Sequence, residues 1–401
     1  LIERVFKAFR YRDFRLMWFG ACTSSIGTWM QMLAQSWLVY DLSKDPYYLG
    51  LDAFLGQAPI MLLSLIGGVF ADRQNRRNLL LISQFIQMTC AFLLATLFYF
   101  HVVQVWHILC LSFTVGVAQA FGGPAYQALI PTLVGPEDLT NAIALNSIQF
   151  NLARVIGPTL GGLALVKLGA TWCFGLNGIS FLAVILSLYM IHIRFIPAKS
   201  TEPILDSMKQ GIAFIRQSNG MEALIVLAFL MTLLGIPLLT FLPVFAKEVF
   251  HGDATTFTRL LVFSGLGSVC GALIVAGQEK LKHRGRVALL MLVALGCLIS
   301  GFSLSKSLIL SYALIFCSGA ALIAVFAMIS SLVQAITADN MRGRVMSVYN
   351  VAFRGGMPIG ALLVGRMIPV FTAPVTIACA GAGLVVMALY MLLIHRRVAS
   401  L

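Results

Sequence analysis

Apolar runs long enough to cross a bilayer recur twelve times along the chain, at 14–40, 47–70, 78–100, 105–129, 140–166, 171–194, 221–246, 256–278, 287–304, 308–333, 343–369 and 372–395. A spanning helix needs about 20 such residues, so the pattern predicts an all-α membrane protein with twelve transmembrane helices. Polar side chains inside these runs fall at helical spacing. In span one, Ser24, Thr28, Gln31 and Gln35 are 4, 3 and 4 residues apart and share one face, which predicts a wet wall on an otherwise apolar helix. Trp29, Trp37, Met30 and Met32 lie on the same span. They read either as an adaptable surface for a bulky ligand or as ordinary lipid and core packing.

An internal repeat divides the twelve spans. Ser147, Arg154 and Pro158 of span five recur as Ser347, Arg354 and Pro358 of span eleven at a constant offset of 200 residues. Asn151 and Asn350 extend the two stripes. A weaker echo sets Asp72-Arg73 against Glu279-Lys280, each opening a basic turn. Between the halves runs a polar segment with Pro197 and Pro203 and a helical patch near Ile204–Ile215. The expected domains are a six-helix bundle over 1–194, a cytoplasmic linker over 195–220 and a second bundle over 221–401. Parallel six-helix halves are a known transporter layout.

Composition agrees with the pattern: 11% of residues are charged and 59% hydrophobic, where a soluble domain carries about 25% charge. Lysine and arginine cluster on one side. With both termini in the cytoplasm, Arg4, Lys7, Arg10, Arg12, Arg15, Arg73, Arg76, Arg77, Arg194, Lys199, Lys209, Arg216, Lys280, Lys282, Arg284, Arg286, Arg342, Arg344, Arg396 and Arg397 lie inside, against Lys44, Lys167, Lys247, Arg259, Lys306 and Arg366 outside. That bias sets the expected orientation, and it accounts for the net charge of +13 without nucleic acid as a partner. Leu1–Arg15 reads as a basic amphipathic lead-in, with the first span its own insertion signal. All eight cysteines fall in spans without metal-like spacing and are expected as free thiols packed like small apolar side chains.

Charge at bilayer depth is costly, about 2.5–3.5 kcal/mol for arginine on insertion scales, so Arg154 and Arg354 are cavity candidates, with structural ties to carbonyls or acids as the alternative. Symmetric stripes would bring both guanidinium groups near a pseudo-twofold axis. Asp52 is the one acid read as clearly inside a span, and it is the first proton-coupling candidate. A helix-start residue salt-linked to Lys44 or Arg366 is the competing reading, and Glu222 is the second proton candidate. The six histidines are scattered at span ends and loops, and no phosphate-cradling loop occurs. No enzyme chemistry, metal or cofactor is therefore expected.

The turn Gly67-Gly68-Val69-Phe70-Ala71-Asp72-Arg73-Gln74-Asn75-Arg76-Arg77 sets one acid among basic residues between two spans, where glycines are expected to let neighbouring helices pack closely. From Gly68 to Arg77 it resembles the loop motif of the major facilitator superfamily. Asn75 stands where the motif has a second glycine, and asparagine tolerates the left-handed backbone expected there. Gly157-Pro158-Thr159-Leu160-Gly161-Gly162 is similar to the span-five signature of that superfamily's drug and proton antiporters, with Ala153 in place of an upstream glycine. Pro124-Ala125, the turn Leu133–Ala142 and Met341–Ser347 resemble the branch that holds the enterobactin exporter and related multidrug efflux proteins.

The resemblance implies secondary active transport: proton-coupled efflux of small amphipathic organic molecules, drugs or siderophore-like compounds, by alternating access. A lipid or lysolipid transporter and a nutrient importer are the alternatives on the same fold. It further implies that Asp72, with Gly68, Arg73, Arg76 and Arg77, forms a cytoplasmic latch at the positive end of span eleven. The expected setting is a bacterial inner membrane. The expected partners are an organic solute of anionic or electron-rich character, protons and lipids, and the chain is expected to be a monomer.

Overall fold

The computed structural model describes residues 6–191, 204–218, 220–276, 283–338, 341–394 and 398–399, with backbone only at Asp72, at 204–207 and at Ala276. Outside these residues fall 1–5 of the lead-in, Glu279-Lys280, the basic residues Arg194, Lys199, Arg396 and Arg397, and 195–203 of the linker. Among the described residues, twelve long helices follow the apolar runs. They are α1 (Arg12–Ser43), α2 (Pro46–Arg73), α3 (Arg76–Tyr99), α4 (Val105–Leu129), α5 (Leu139–Lys167), α6 (Ala170–Met190), α7 (Met221–Gly235), α8 (Ala254–Ala276), α9 (Arg284–Leu304), α10 (Leu308–Ile336), α11 (Arg342–Phe371) and α12 (Ala373–Leu393). An amphipathic helix over Ile204–Gln217 precedes α7. Turns between spans are closed by left-handed residues, among them His101, His251 and His283, a conformation that histidine adopts more readily than most side chains.

Among the described residues, ten of these are long and apolar enough to cross a membrane, α7 only together with the turns that continue it to Val249. The two that fall short are α1 and α5, each with a polar stripe, while α11, which carries the stripe matching that of α5, still qualifies. Span seven departs from the expected continuous helix. After Gly235 the chain turns through Pro237–Thr240 and Leu242–Val244 and ends in a π-helical turn, Phe245–Val249. Pro237 and Pro243 cannot donate to the helical ladder, and Phe250 N–H closes the wider turn on Phe245 O at 3.0 Å.

The chain forms two compact units, Leu1–Leu42 with Leu55–Thr201, and Ser43–Phe54 with Glu202–Leu401. One boundary falls inside α2, so that its first part, through Phe54, belongs to the second unit. In each unit, helices approach through small residues, as membrane helices do when lipid removes any hydrophobic drive between them. A Cβ at Gly67 in α2 would run into Ala120 O of α4, and one at Gly267 in α8, 200 residues on, into Phe316 O of α10. Gly178 of α6 faces the Phe92 ring of α3, and Gly296 of α9 faces Gly381 O of α12. The pairings of the first unit thus recur in the second.

The cysteines divide. Cys22, Cys90 and Cys173 are buried, while Cys110, Cys270, Cys297, Cys317 and Cys379 lie on exposed helix faces. The expectation that all eight are packed fails because a membrane helix is apolar on its outer face as well as its inner one, so sequence alone does not separate the two.

Candidate functional site

Helix α5 and helix α1 meet through a glycine pair one turn apart. A Cβ at Gly157 would lie 2.8 Å from Ile26 O, and one at Gly161 would lie 2.9 Å from the Met30 Cα. Pro158 and Gly162 beside them are buried. In the second unit, Gly356 of α11 meets Phe229 and Thr232 of α7, and Gly360 meets Leu233. The antiporter-like motif is therefore, in this chain, the seam on which α5 packs against α1.

That close approach sets Trp29 beside the polar face of α5. The Arg154 guanidinium lies 5.8 Å from the centre of the Trp29 ring, and the Phe150 ring meets the same indole edge-on at 6.1 Å. Both Arg154 and Trp29 are half-buried. Among the described residues no carboxylate pairs with Arg154. A cation over an indole face gains about 0.5–2 kcal/mol, less than full compensation for a charge at mid-helix. The rest of the stripe is satisfied along its own helix: Ser147 Oγ donates to Ile143 O at 3.1 Å and Asn151 Nδ2 to Ser147 O at 2.8 Å. Ser347 repeats the first bond, to Gly343 O at 2.9 Å, in α11. Arg354 and Asn350 are exposed in the second unit, and Arg354 has no aromatic partner comparable to Trp29 among the described residues.

Gln31 and Gln35 lie half-buried in a chain of side-chain bonds inside the first unit. Asn177 Nδ2 of α6 donates to Gln31 Oε1 at 2.6 Å, Gln31 Nε2 to Gln35 Oε1 at 3.4 Å, and Gln35 Nε2 to Ser112 Oγ of α4 at 2.8 Å. Ser180 Oγ donates to Asn177 O and Oδ1. Sequence reasoning missed Asn177 and Ser112, although single amides and hydroxyls in apolar spans were a visible signal. Gln149 of α5 adds a further tie to Ser25 Oγ at 2.7 Å.

Asp52 is half-buried in the part of α2 that belongs to the second unit. There a Cβ at Gly50 would meet Ala361 O of α11, so the acid is carried on a segment packed against α11. Glu222 is exposed in the first turn of α7. Asp41 also lies within a long helix, in the last turns of α1, because α1 outruns its expected end.

At the basic turn, α2 ends at Arg73 and α3 starts at Arg76. Arg76 donates to Ala71 O at 3.2 Å and to Ala128 O at 2.9 Å. Arg77 donates to Tyr189 O at 3.1 Å and stacks near that ring at 5.7 Å. The two arginines thus bind carbonyls at the C-terminal ends of α2, α4 and α6, where positive charge is favoured. Arg73 is exposed, and the Asp72 side chain lies outside the described residues. Two expectations are corrected here. Asn75 has φ −63°, not a left-handed value, and its Oδ1 accepts from Arg77 N and Asn78 N as the N-cap of α3. The close-packing glycine is Gly67; a Cβ at Gly68 meets nothing within 4 Å.

The lead-in is held by the α4–α5 turn. Arg10 pairs at 2.9 Å with both Glu137 and Asp138, Tyr11 OH donates to Glu137 at 3.0 Å, and Ala8 N–H donates to Asn141 Oδ1 at 2.9 Å. A hydrogen bond from its own backbone N–H, with those from Tyr11 and Arg10, holds the Glu137 carboxyl below its usual range.

The model of the transmembrane secretion effector family matches residues 4–400. The chain belongs to that family, within the major facilitator superfamily. It is similar to a staphyloferrin A transporter of Staphylococcus aureus (strain NCTC 8325 / PS 47), 23% identical over 93% of this chain and 94% of the relative. It is also similar to the enterobactin exporter EntS of Escherichia coli O1:K1 / APEC, 27% identical over 88% and 84%. Among solved structures, a mutant of the nucleoside transporter NupG superimposes with a TM-score of 0.75 at 13% identity, covering 94% of this chain and 99% of that one. A bacterial homologue of the human lysosomal transporter Spinster gives 0.73 at 15% identity over 96% and 97%. These two establish the fold alone. This major facilitator protein is an integral membrane transporter, not an enzyme.

Proposed function

We propose that this transporter exports small organic anions of the siderophore class, driven by protons, through alternating access of two six-helix bundles, 1–194 and 221–401, joined by the segment 195–220. Arg154 carries the reading: a mid-helix cation set against an indole face, with no acid paired to it among the described residues, suits an anionic, electron-rich solute. The similarity to a staphyloferrin A transporter and an enterobactin exporter supports the same class. Drug efflux is an extension of the same activity to other amphipathic molecules. Asn151, Asn350 and Arg354 extend the solute path, and Gln31 and Gln35 stiffen its wall. Asp52, or failing it Glu222, takes the proton. Asp72, with Gly68, Arg73, Arg76 and Arg77, serves as the cytoplasmic latch at the positive end of α11. The protein acts as a monomer in a bacterial inner membrane with both termini in the cytoplasm.

The test uses inside-out vesicles with an acidic lumen and a panel of catecholate and hydroxycarboxylate chelators beside neutral and cationic drugs. Accumulation of the anions that collapses with a protonophore is expected. Transport indifferent to the gradient, or confined to lysolipids or neutral nutrients, would overturn the proposal.

A further inference from the structure

A groove of about 540 Å³ opens on the first unit between α1, α5 and α6. Its floor is Thr23, Ile26, Gly27 and Met30 of α1, and its walls include the exposed Leu160 and Leu163 of α5 and Leu176 of α6. The lining is almost wholly apolar. The hydroxyls that reach it are already engaged, Thr23 Oγ1 with Phe19 O at 3.0 Å and Ser180 Oγ with Asn177. Such a trough offers nothing to a sugar, a nucleotide or a chelator.

One end differs. Lys167, the last residue of α5, closes the groove with an exposed ammonium. No described residue pairs with it. Gly169 at φ +89° turns the chain into α6, and Trp172, 54% exposed, stands one turn further on. Lysine beside exposed tryptophan at a helix end marks the headgroup level of a bilayer. Since Met30 abuts Gly161, the trough runs from the level of Thr23 to that of Lys167. At 1.5 Å per residue this is about 20 Å, somewhat more than half of a hydrocarbon core about 30 Å thick. The site is thus apolar over one leaflet and cationic only at its headgroup end.

We propose that this groove holds one anionic phospholipid, its acyl chain along α1 between α5 and α6 and its phosphate on Lys167. The site lies wholly within one unit, and its lining includes none of the residues proposed for the solute path. Met30, on the groove floor, is also the residue that Gly161 abuts, so occupancy would bear on the α1–α5 seam.

The test is native mass spectrometry of the purified full chain, delipidated and titrated with phosphatidylglycerol or phosphatidylcholine of matched acyl chains. Wild type should retain one phosphatidylglycerol in preference to phosphatidylcholine. Lys167→Gln should weaken phosphatidylglycerol retention about fivefold, the worth of one basic residue near an anionic surface, and remove the preference; Lys167→Arg should keep it. Ala164→Phe, which fills the trough, should reduce retention of both lipids. Equal retention of the two lipids by wild type, or unchanged phosphatidylglycerol binding in Lys167→Gln, would overturn the proposal. Solute transport enters none of these readings, so the outcome is independent of the exported compound.

Discussion

Arg154 is the residue on which the transport reading turns, and its surroundings make the expected outcome specific. Its charge has an aromatic neighbour but no described counter-ion, so its removal leaves no orphaned acid behind. Arg154→Gln should therefore fold normally and weaken anionic solutes by about 10–100-fold, the loss of a charge-assisted hydrogen bond of about 1.5–3 kcal/mol. Neutral solutes should change little. Binding titrations with a matched anionic and neutral pair check this, and equal loss for both would make Arg154 a packing residue.

A second single-residue case lies outside the membrane, at the start of α8. Asp253 Oδ1 accepts from Thr255 N at 3.0 Å and Thr256 N at 3.1 Å. The Thr256 bond is the largest cause holding its carboxyl below the usual aspartate range. A depressed native pKa stabilises the cap above the unfolded value, and that stabilisation is lost as pH falls through the native one. Asp253→Ala should cost about 0.5–2 kcal/mol of local stability near neutral pH, and the difference from wild type should shrink in acid. Hydrogen exchange at the Thr255 and Thr256 amides measures both; a difference that persists at low pH would sink the assignment.

Among the elements, the twelve helices were legible because apolar length is a local property of sequence. Their partners were not, because Asn177 reaching Gln31 or Gly157 meeting Ile26 joins segments more than a hundred residues apart. The break in span seven was half-visible: Pro237 and Pro243 stood in the apolar run, yet nothing local distinguishes a kink from a change to π-helical bonding. Two glycines adjacent in sequence show the same limit. Gly67 abuts α4 while Gly68 faces open space, and only helix phase relative to a distant partner separates them. At the site, the polar face of α1 was legible as a stripe, but its engagement with α4 and α6 was not. Substitution at the seams tests this account. Gly157→Ala and Gly356→Ala should each destabilise by about 1–3 kcal/mol, since backbone atoms must move to admit a methyl. Gly68→Ala should be near neutral, and Asn75→Ala should cost about 1 kcal/mol through its lost cap. Denaturant titration in detergent ranks the four, and a Gly68 effect as large as that of Gly157 would refute the packing argument.

For the whole molecule, the proposed export poses the question of how a proton gradient would move an anion through helices with so little charge inside them. Arg154 and Arg354 lie at mid-helix in α5 and α11, and Asp52 rides on the segment of α2 that packs on α11. Protonating Asp52 changes the local charge by one unit, and a shift in its burial or in its distance from an arginine changes its proton affinity. A movement that alternates those surroundings would load the proton on one side and release it on the other, whereas a fixed charge at that position cannot couple. Asp52→Asn should therefore leave solute binding and solute–solute exchange near wild-type rates while removing accumulation driven by a pH gradient. Glu222→Gln should leave both intact, because Glu222 is exposed in the first turn of α7. Counterflow and gradient-driven uptake measured in the same proteoliposomes separate the cases. If Asp52→Asn still concentrates solute against its gradient, the proton site lies elsewhere. If exchange fails as well, Asp52 serves the fold of the α2–α11 contact and not the coupling.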